Sequence, residues 1–254
     1  MPNERKSDEV GVLVKALEIL DRLASDAPCT VVQLCQHTGV TKPAAYRILK
    51  TLDQRGYVVR DEARREYSLG PALYGLSRAA RNSTDLVRHA RPAMQRLNDE
   101  FGETVNLGVV SHGAVVYLDT IESAQRLRST VQIALRDNLH STALGKSILA
   151  VLPERQALAQ LDEGTWKPLT PNTTMSVEDL LTQLARYRRD GYALDDEENE
   201  VGSRCVAAAI LDSAGRPVAS ISISAPTARM DDDKVGVVGR RLVEVCRELG
   251  AALG

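Results

Sequence analysis

The chain has 254 residues, of which 43% are hydrophobic and 26% charged, and its formal net charge is −2. This length accommodates two domains, and the composition is that of an ordinary globular protein. No run of 18 apolar residues is present and the first 14 residues are too polar for a secretory signal, so we expect a cytoplasmic protein with no membrane partner. An aromatic content of only 4% argues against a protein that binds single-stranded nucleic acid.

Four cysteines, Cys29, Cys35, Cys205 and Cys246, match no zinc-binding spacing, and no histidine lies at a ligand position relative to them. In a reducing compartment such cysteines stay free thiols. We therefore expect no metal, no cofactor and no disulfide.

The N-terminal 70 residues predict three helices followed by a β-hairpin. Apolar residues recur at helical spacing, Thr30 and Thr41 are candidate N-caps, and Gly39 lies in a tight turn between the second and third helices. This order is that of a winged helix-turn-helix. The predicted bounds are 10–25, 31–38 and 42–55 for the helices and 57–70 for the hairpin.

Basic residues concentrate in this region, with seven basic and three acidic side chains between residues 41 and 65. The third helix begins with small and basic residues that suit a major groove, and the wing carries arginines that have no core to serve. Helix-turn-helix shapes also serve as protein-interaction modules, but this local charge favours double-stranded DNA. The candidate DNA contacts are Thr41, Lys42, Ala44, Tyr46, Arg47, Lys50, Arg60, Arg64 and Arg65.

The remaining residues predict a linker helix over 71–84 and a second domain over 85–254. Pro92 is expected to break or kink the helical stretch that leads into this domain. Strands and helices then alternate irregularly, which predicts an α+β class with one sheet and helices packed on it. The predicted strands are 104–110, 114–122, 129–135, 206–211 and 218–224, and the predicted helices are 142–152, 154–161, 176–189 and 231–249.

Three segments, residues 31–73, 139–150 and 188–230, resemble the IclR (isocitrate lyase regulator) family of bacterial transcription factors. The resemblance implies a winged helix-turn-helix over 1–70, the linker helix, and a GAF-like α/β domain over 85–254 that binds an effector and mediates oligomerisation. It further implies homodimers or homotetramers on operator DNA, with a repressor or activator role at a catabolic operon.

The resemblance also implies that Ala143, Leu144, Asp195, Cys205, Ser222 and Ser224 line the effector pocket. Physical chemistry supports part of this set, because the predicted helix start at Thr142 offers unpaired N–H groups and a positive dipole end to a carboxylate. Ser222 and Ser224 are two residues apart and share one face of a strand.

Each of these residues also has a structural interpretation. Asp195 lies in an acidic run, residues 195–198, that could simply be solvated, and Cys205 could be a small buried hydrophobe. Hydroxyls on Ser222 and Ser224 could satisfy neighbouring backbone groups. Lys146 could pair with the acidic run or with a ligand, and the partner of Arg204 is equally open.

We expect a DNA-binding regulator controlled by a small carboxylate or aromatic acid. One alternative is a regulator whose C-terminal domain only oligomerises and has no effector. A second is an enzyme with Cys205 as nucleophile and Asp195 or a histidine as its base. The absence of any other catalytic signature disfavours the enzyme, and we expect no catalytic residue.

Overall fold

A computed structural model of the chain describes residues 10–76, 85–131, 133, 136–161 and 166–253. The chain divides into two compact units, Met1–Ser83 and Thr84–Gly254. Residues 72–76 of the expected linker helix are helical, and residues 77–84 lie outside the described part of the chain. None of the helices in the described ranges combines the length and apolar character that a membrane span requires.

The N-terminal unit contains three helices and a small antiparallel sheet with strand order β1-β3-β2. The expected helices and hairpin are present, whereas the two-residue strand β1 was not predicted because so short a segment has no periodic pattern. The bounds are α1 Gly11–Asp26, β1 Cys29–Thr30, α2 Val31–Thr38, α3 Lys42–Gln54, β2 Val58–Asp61 and β3 Glu66–Leu69.

Local signals fix the two helices of the helix-turn-helix. Thr30 caps α2 through a capping box with Gln33, as the sequence predicts. Gly39 ends α2 in the left-handed conformation, and its N–H donates a 3.0 Å hydrogen bond to the carbonyl oxygen of Cys35. Ile19, Leu34 and Leu49 are fully buried between the helices and hold the unit together.

The C-terminal unit is a six-stranded antiparallel sheet with strand order β6-β5-β4-β9-β8-β7, covered by helices. Its strands are β4 Thr104–Ser111, β5 Ala114–Ile121, β6 Arg136–Asn138, β7 Ala193–Asp196, β8 Ser203–Leu211 and β9 Pro217–Pro226. Its helices are α4 Asp85–Phe101, α5 Ala143–Val151, α6 Glu154–Ala159, α7 Val177–Asp190 and α8 Asp232–Leu253, with a 3-10 turn at Thr227–Arg229.

The sheet has a separate hydrophobic core on each face. Helices α4 and α8 pack on one face, where Ile221 and Ile223 of β9 are fully buried. Helices α5, α6 and α7 pack on the other. Because successive side chains of a strand point to opposite faces, Ser222 and Ser224 of the same strand belong to the face covered by α5.

The strand predicted over 129–135 is wrong in position. The described residues 129–131 are not in a strand, and the edge strand β6 lies at Arg136–Asn138, where it pairs with β5. Strand β7 was not predicted, because Ala193–Asp196 is short and half acidic. Asp195 is stabilised by a buried hydrogen bond from the backbone, and Asp196 pairs with Arg204.

The break expected at Pro92 does not occur, and α4 continues as a helix from Asp85 to Phe101. A proline inside a helix has no N–H to donate to the carbonyl four residues earlier. That carbonyl belongs to Arg88, and both Pro92 and Arg88 lie on the exposed side of α4. The change in helical hydrogen bonding is therefore at the surface rather than in the hydrophobic core, which explains why the helix tolerates the proline.

Candidate functional site

Most of the predicted DNA-contact residues of α3 lie on its exposed side. Thr41, Lys42, Tyr46, Arg47 and Lys50 are all exposed. The first of these is the N-cap of α3, but its side chain makes no capping hydrogen bond, so the hydroxyl is available to a phosphate oxygen.

Ala44 differs from the other candidates on this helix. It is half-buried and packs against the core of the N-terminal unit, in a groove between α1 and α3. A role in packing against this core accounts for Ala44 without a DNA contact. The contact predicted for Ala44 stays a prediction.

The wing places two arginines in solvent and anchors a third. Arg64 and Arg65 are exposed in the turn between β2 and β3, where Asp61 Oδ1 accepts a hydrogen bond from the N–H of Arg64 at 3.1 Å. Arg60 instead is half-buried, forms a 3.1 Å ion pair with Glu62, and lies 5.8 Å from the centre of the Tyr67 ring. Arg60 therefore stabilises the wing, whereas the side chains of Arg64 and Arg65 make no such contacts among the described residues.

A cavity of about 230 Å³ lies in the C-terminal unit between the sheet and the start of α5. All six residues that the sequence predicted for the effector pocket line it. They come from α5, β7, β8 and β9, and they are Ala143, Leu144, Asp195, Cys205, Ser222 and Ser224. Thr142, at the helix start that was predicted to attract a carboxylate, also lines it, and the lining residues that sequence reasoning missed are Tyr117, Ser129, Thr130, Val131, Asp137, Asn199, Glu200 and Ser203.

The first turn of α5 forms one wall of this cavity. Thr142 is its N-cap, and the side-chain oxygen accepts a 3.2 Å hydrogen bond from the N–H of Gly145. A Cβ at Gly145 would lie only 2.5 Å from the carbonyl oxygen of Leu139, so only glycine allows the preceding loop to pack this closely. The N–H groups of Ala143 and Leu144 have no acceptor within the helix, which makes this wall attractive to an anion.

The floor of the cavity carries two linked serines. Asn106 Nδ2 donates hydrogen bonds to Ser222 Oγ at 3.3 Å and to Ser224 Oγ at 3.2 Å, while Asn106 Oδ1 accepts one from Thr120 at 2.9 Å. The asparagine thus occupies one of the two acceptor sites of each hydroxyl and leaves the other acceptor site and the proton for other partners. Both serines therefore have a donor to offer to a ligand oxygen.

Asp195 is a buried carboxyl group with one oxygen directed to the backbone. Its Oδ1 accepts hydrogen bonds from the N–H groups of Glu198 at 2.8 Å and Asn199 at 3.2 Å, and Oδ2 makes none within the described chain. Burial raises the pKa of Asp195 to about 7, against the opposing effect of the Lys146 ammonium. At neutral pH this carboxyl is consequently divided between its neutral and charged forms.

Cys205 faces Asp195 across the β7–β8 pair. Burial, together with the nearby Asp195 carboxylate, raises the pKa of the thiol to about 12. A thiol in this environment stays protonated and is a poor nucleophile. This chemistry disfavours the enzyme alternative and leaves Cys205 as a wall of the cavity.

Lys146 and Glu198 form a buried ion pair next to the cavity, which answers the question that the sequence left open for Lys146. Their side chains are only 0% and 7% exposed. Glu198 Oε2 also accepts a 3.0 Å hydrogen bond from Thr174, and Lys146 Nζ donates one to Gln183 at 3.3 Å. The pair connects the first turn of α5 to residues 198–199, whose backbone N–H groups donate to Asp195. Arg204, whose partner the sequence also left open, pairs with Asp196 and Asp232 at the surface.

Tyr117, Asp137 and Asn199 form a hydrogen-bonded group in the lining of the cavity. The Tyr117 hydroxyl donates to Asp137 Oδ2 at 3.3 Å, and Asn199 Nδ2 donates to the same oxygen at 3.2 Å. No sequence signal identified them, because they lie on β5, on β6, whose position was wrongly predicted, and in the loop after β7. The alternation of β5, which turns Tyr117 toward the α5 face, is the only signal that could have indicated one of them.

His140 lies directly before α5 and has a structural role. Its ring stacks on Trp166 with centroids 4.3 Å apart. Burial, aided by the Lys146 charge, lowers the pKa of His140 to about 4. It is therefore neutral at physiological pH, and no group of metal-ligating side chains occurs within the described ranges.

Comparison with known proteins assigns both units. Residues 12–62 match the IclR helix-turn-helix domain, and residues 78–251 match the C-terminal domain of bacterial IclR transcriptional regulators. The chain is 33% identical to the HTH-type transcriptional regulator KdgR of Escherichia coli over 252 residues, covering 99% of this chain and 95% of that protein. It is 33% identical to the regulator BhcR of Paracoccus denitrificans over 96% of this chain and 87% of that protein.

Solved structures give the same assignment. The IclR protein of Thermotoga maritima superposes with a TM-score of 0.73 at 30% identity, covering 97% of this chain and all of that chain. An IclR homologue from Microbacterium hydrocarbonoxydans, crystallised in complex with 4-hydroxybenzoate, shares the fold with a TM-score of 0.77 at 21% identity, covering 95% of this chain and 99% of that chain. The chain belongs to the IclR family of DNA-binding transcriptional regulators.

Proposed function

We propose that this IclR-family regulator changes its affinity for operator DNA when a small carboxylate occupies the cavity at the start of α5. The observation that carries the proposal is the convergence of six residues, from four separate elements, on one cavity whose wall is a helix N-terminus. In such a position unpaired N–H groups and the helix dipole favour a carboxylate. The names of relatives agree with an acid, since one is an acetate operon repressor of Salmonella typhimurium and one structure holds 4-hydroxybenzoate.

In this proposal DNA is bound by the exposed side of α3 and by the tip of the wing. Lys42, Arg47 and Lys50 on the helix, with Arg64 and Arg65 on the wing, give this surface the positive charge that phosphate binding needs. A homodimer or homotetramer would present two or more such surfaces to a symmetric operator. We propose a catabolic operon as the target, on the basis of the family resemblance alone.

A thermal-shift screen of small carboxylic acids tests the effector half of the proposal. A ligand present at a hundredfold excess over its Kd stabilises the protein by about 2.7 kcal/mol. We expect at least one acid to raise the melting temperature of the wild-type protein, and the Ser222→Ala variant to lose most of that rise. Ser213→Ala, an exposed serine in the β8–β9 turn, is the matched control and should keep the full rise.

The alternative of a C-terminal domain that only oligomerises predicts a different outcome. In that case no acid changes the melting temperature, and DNA binding is the same with and without every acid in the screen. Such a result, obtained with a protein that binds its operator, would refute the effector half and leave the DNA-binding half standing.

A further inference from the structure

Part of the cavity lining contributed by elements other than α5 is built to make hydrogen bonds. Tyr117 and Asn199 both donate to Asp137 Oδ2, and Asn199 Oδ1 in turn accepts a 2.8 Å hydrogen bond from the Ser141 hydroxyl. Burial raises the pKa of Tyr117, so its hydroxyl keeps the proton that it donates. These groups are held in fixed orientations before any ligand arrives, which is the arrangement of a polar recognition site.

The cavity offers many hydrogen-bond acceptors and no cation. Three acidic side chains, Asp137, Asp195 and Glu200, line it, whereas no lysine or arginine is among its described lining residues. Hydroxyl groups that both donate and accept complete the lining, and they are Ser129, Thr130, Ser203, Ser222 and Ser224. A ligand that fills this space displaces the water that hydrogen-bonds these groups. It therefore has to supply several hydrogen-bond donors of its own, because a buried acceptor without a partner opposes binding.

Apolar atoms supply about half of the lining among the described residues, including side-chain atoms of Tyr117, Val131 and Leu144. At about 230 Å³ the cavity is also smaller than the roughly 300–1,000 Å³ of sites for drug-sized ligands. A ligand with no hydroxyl groups would leave the carboxylates and amides of the polar half desolvated without partners, which opposes its binding.

We propose that Tyr117, Asp137 and Asn199 form a second subsite that binds ligand hydroxyl groups, and that the effector is a small polyhydroxylated monocarboxylate. Its carboxylate lies at the first turn of α5, and its hydroxyls donate to and accept from these three side chains. This inference rests on the proposed function, because it names the ligand class of the same cavity.

An amino acid is the nearest competing ligand, since an ammonium group would also suit acidic walls. The ammonium charge is not needed to satisfy the Asp137 carboxylate, because Asp137 already accepts hydrogen bonds from Tyr117, from Asn199 and from the backbone N–H of Asn138 at 2.8 Å. Asp195 already has the Lys146 ammonium nearby as a source of positive charge. Neutral hydroxyls satisfy the remaining acceptors without adding a charge that must be desolvated.

Isothermal titration of the full chain with matched probes tests the inference. L-threonate is compared with L-threonine and butyrate, which share its four-carbon skeleton, and D-gluconate with hexanoate and with benzoate. We expect threonate or gluconate to bind at least tenfold more tightly than every probe that lacks multiple hydroxyls, because unpaired polar groups in a site discriminate strongly against such ligands.

Variants then locate the hydroxyl subsite. Tyr117→Phe, which removes only the hydroxyl, should weaken binding of the hydroxylated acid about tenfold and leave butyrate binding unchanged. Asp137→Asn, nearly identical in shape, should lower the affinity for the hydroxylated acid about tenfold relative to the affinity for butyrate, while Tyr192→Phe, a tyrosine outside the cavity lining, should change neither. Melting temperatures of all three variants verify that they fold.

The outcomes separate the two proposals. If benzoate, hexanoate or threonine binds more tightly than its hydroxylated counterpart, the ligand class is wrong while the effector site stands. If Tyr117→Phe weakens butyrate and threonate equally, the hydroxyl subsite is refuted. If no acid of any kind binds to a folded protein, the proposed effector function fails together with this inference.

Discussion

Replacing Lys146 by methionine tests whether the buried ion pair holds the ligand cavity together. Lys146 is fully buried, and its ammonium is bonded to Glu198, whose backbone N–H in turn donates to Asp195. The change keeps an unbranched side chain of similar length but leaves the Glu198 carboxylate buried without its cation. We expect both the stability of the C-terminal unit and the affinity for the effector to fall.

The size of the effect follows from the burial of the two side chains. Removing one partner of a buried ion pair costs about 3–5 kcal/mol, and no discount for solvent applies because both side chains are less than a tenth exposed. In a domain of this size 1 kcal/mol shifts the melting temperature by roughly 2–4 °C, so Lys146→Met should lower it by roughly 6–20 °C. Arg216, which pairs with Asp212 and whose side chain is 77% exposed, provides the control, and Arg216→Met should change the melting temperature much less than Lys146→Met does.

Differential scanning calorimetry measures these shifts, and titration with the best acid measures the affinity. In the double variant Lys146→Met/Glu198→Gln the buried charge is gone, while the amide of the introduced glutamine can still bond Thr174, whose hydroxyl in the wild-type protein donates to Glu198 Oε2. We expect this variant to regain more than half of the lost stability. A Lys146→Met protein as stable as wild type, or a double variant less stable than Lys146→Met, would refute the reasoning.

Three further predictions concern the DNA surface and the cavity. Arg47→Ala should weaken operator binding by about 1–3 kcal/mol in a fluorescence-anisotropy titration, whereas Arg216→Ala should leave it unchanged; equal effects would contradict the assigned surface. Because the pKa of Asp195 is raised to about 7, its charged form prevails above that pH and repels a ligand carboxylate. Effector affinity should therefore be constant near pH 6 and fall by up to about tenfold per pH unit above pH 7. Asp195→Asn should remove this slope, and an unchanged slope in that variant argues against Asp195 as its source. Gly145→Ala should weaken effector binding at least tenfold, since the new Cβ would lie 2.5 Å from a carbonyl oxygen. Gly236→Ala in α8, whose new Cβ would have no atom closer than 3.4 Å, should leave effector binding unchanged. Equal binding by both variants would show that the start of α5 is not part of the site.

Elements with strong local signals could be predicted from the sequence. The capping box at Thr30 and the left-handed glycine at Gly39 define the ends of α2, and the serine cap at Ser176 begins α7 as expected. In each case the atoms that fix the boundary lie within four residues of one another, so a short window of sequence contains the whole cause.

Elements that depend on tertiary partners could not be predicted. Strand β7 forms because Asp195 finds backbone donors and Asp196 finds Arg204, neither of which its own four residues reveal. The continuity of α4 through Pro92 depends on which side of that helix is exposed. Periodicity and propensity describe neither kind of partner, which is why β7 was not predicted and a break at Pro92 was.

The candidate site divides in the same way. The six residues taken from the family resemblance all line the cavity, whereas the hydrogen-bonded group of Tyr117, Asp137 and Asn199 was missed. These three residues come from β5, β6 and a loop, and hydrogen bonds across more than 60 positions of sequence bring Asn199 to Asp137. Only the fold reveals this group, and the proposed ligand class depends on it.

The most direct test of the account is the affinity for DNA measured with and without the effector. A labelled fragment from upstream of the gene itself is titrated with the protein at fixed salt, with and without the acid that binds most tightly in the probe series. We predict that the acid changes Kd by roughly 5–150-fold in the wild-type protein and by less than about twofold in Ser222→Ala. A Kd that the bound acid leaves unchanged would contradict the claim that this cavity controls operator binding.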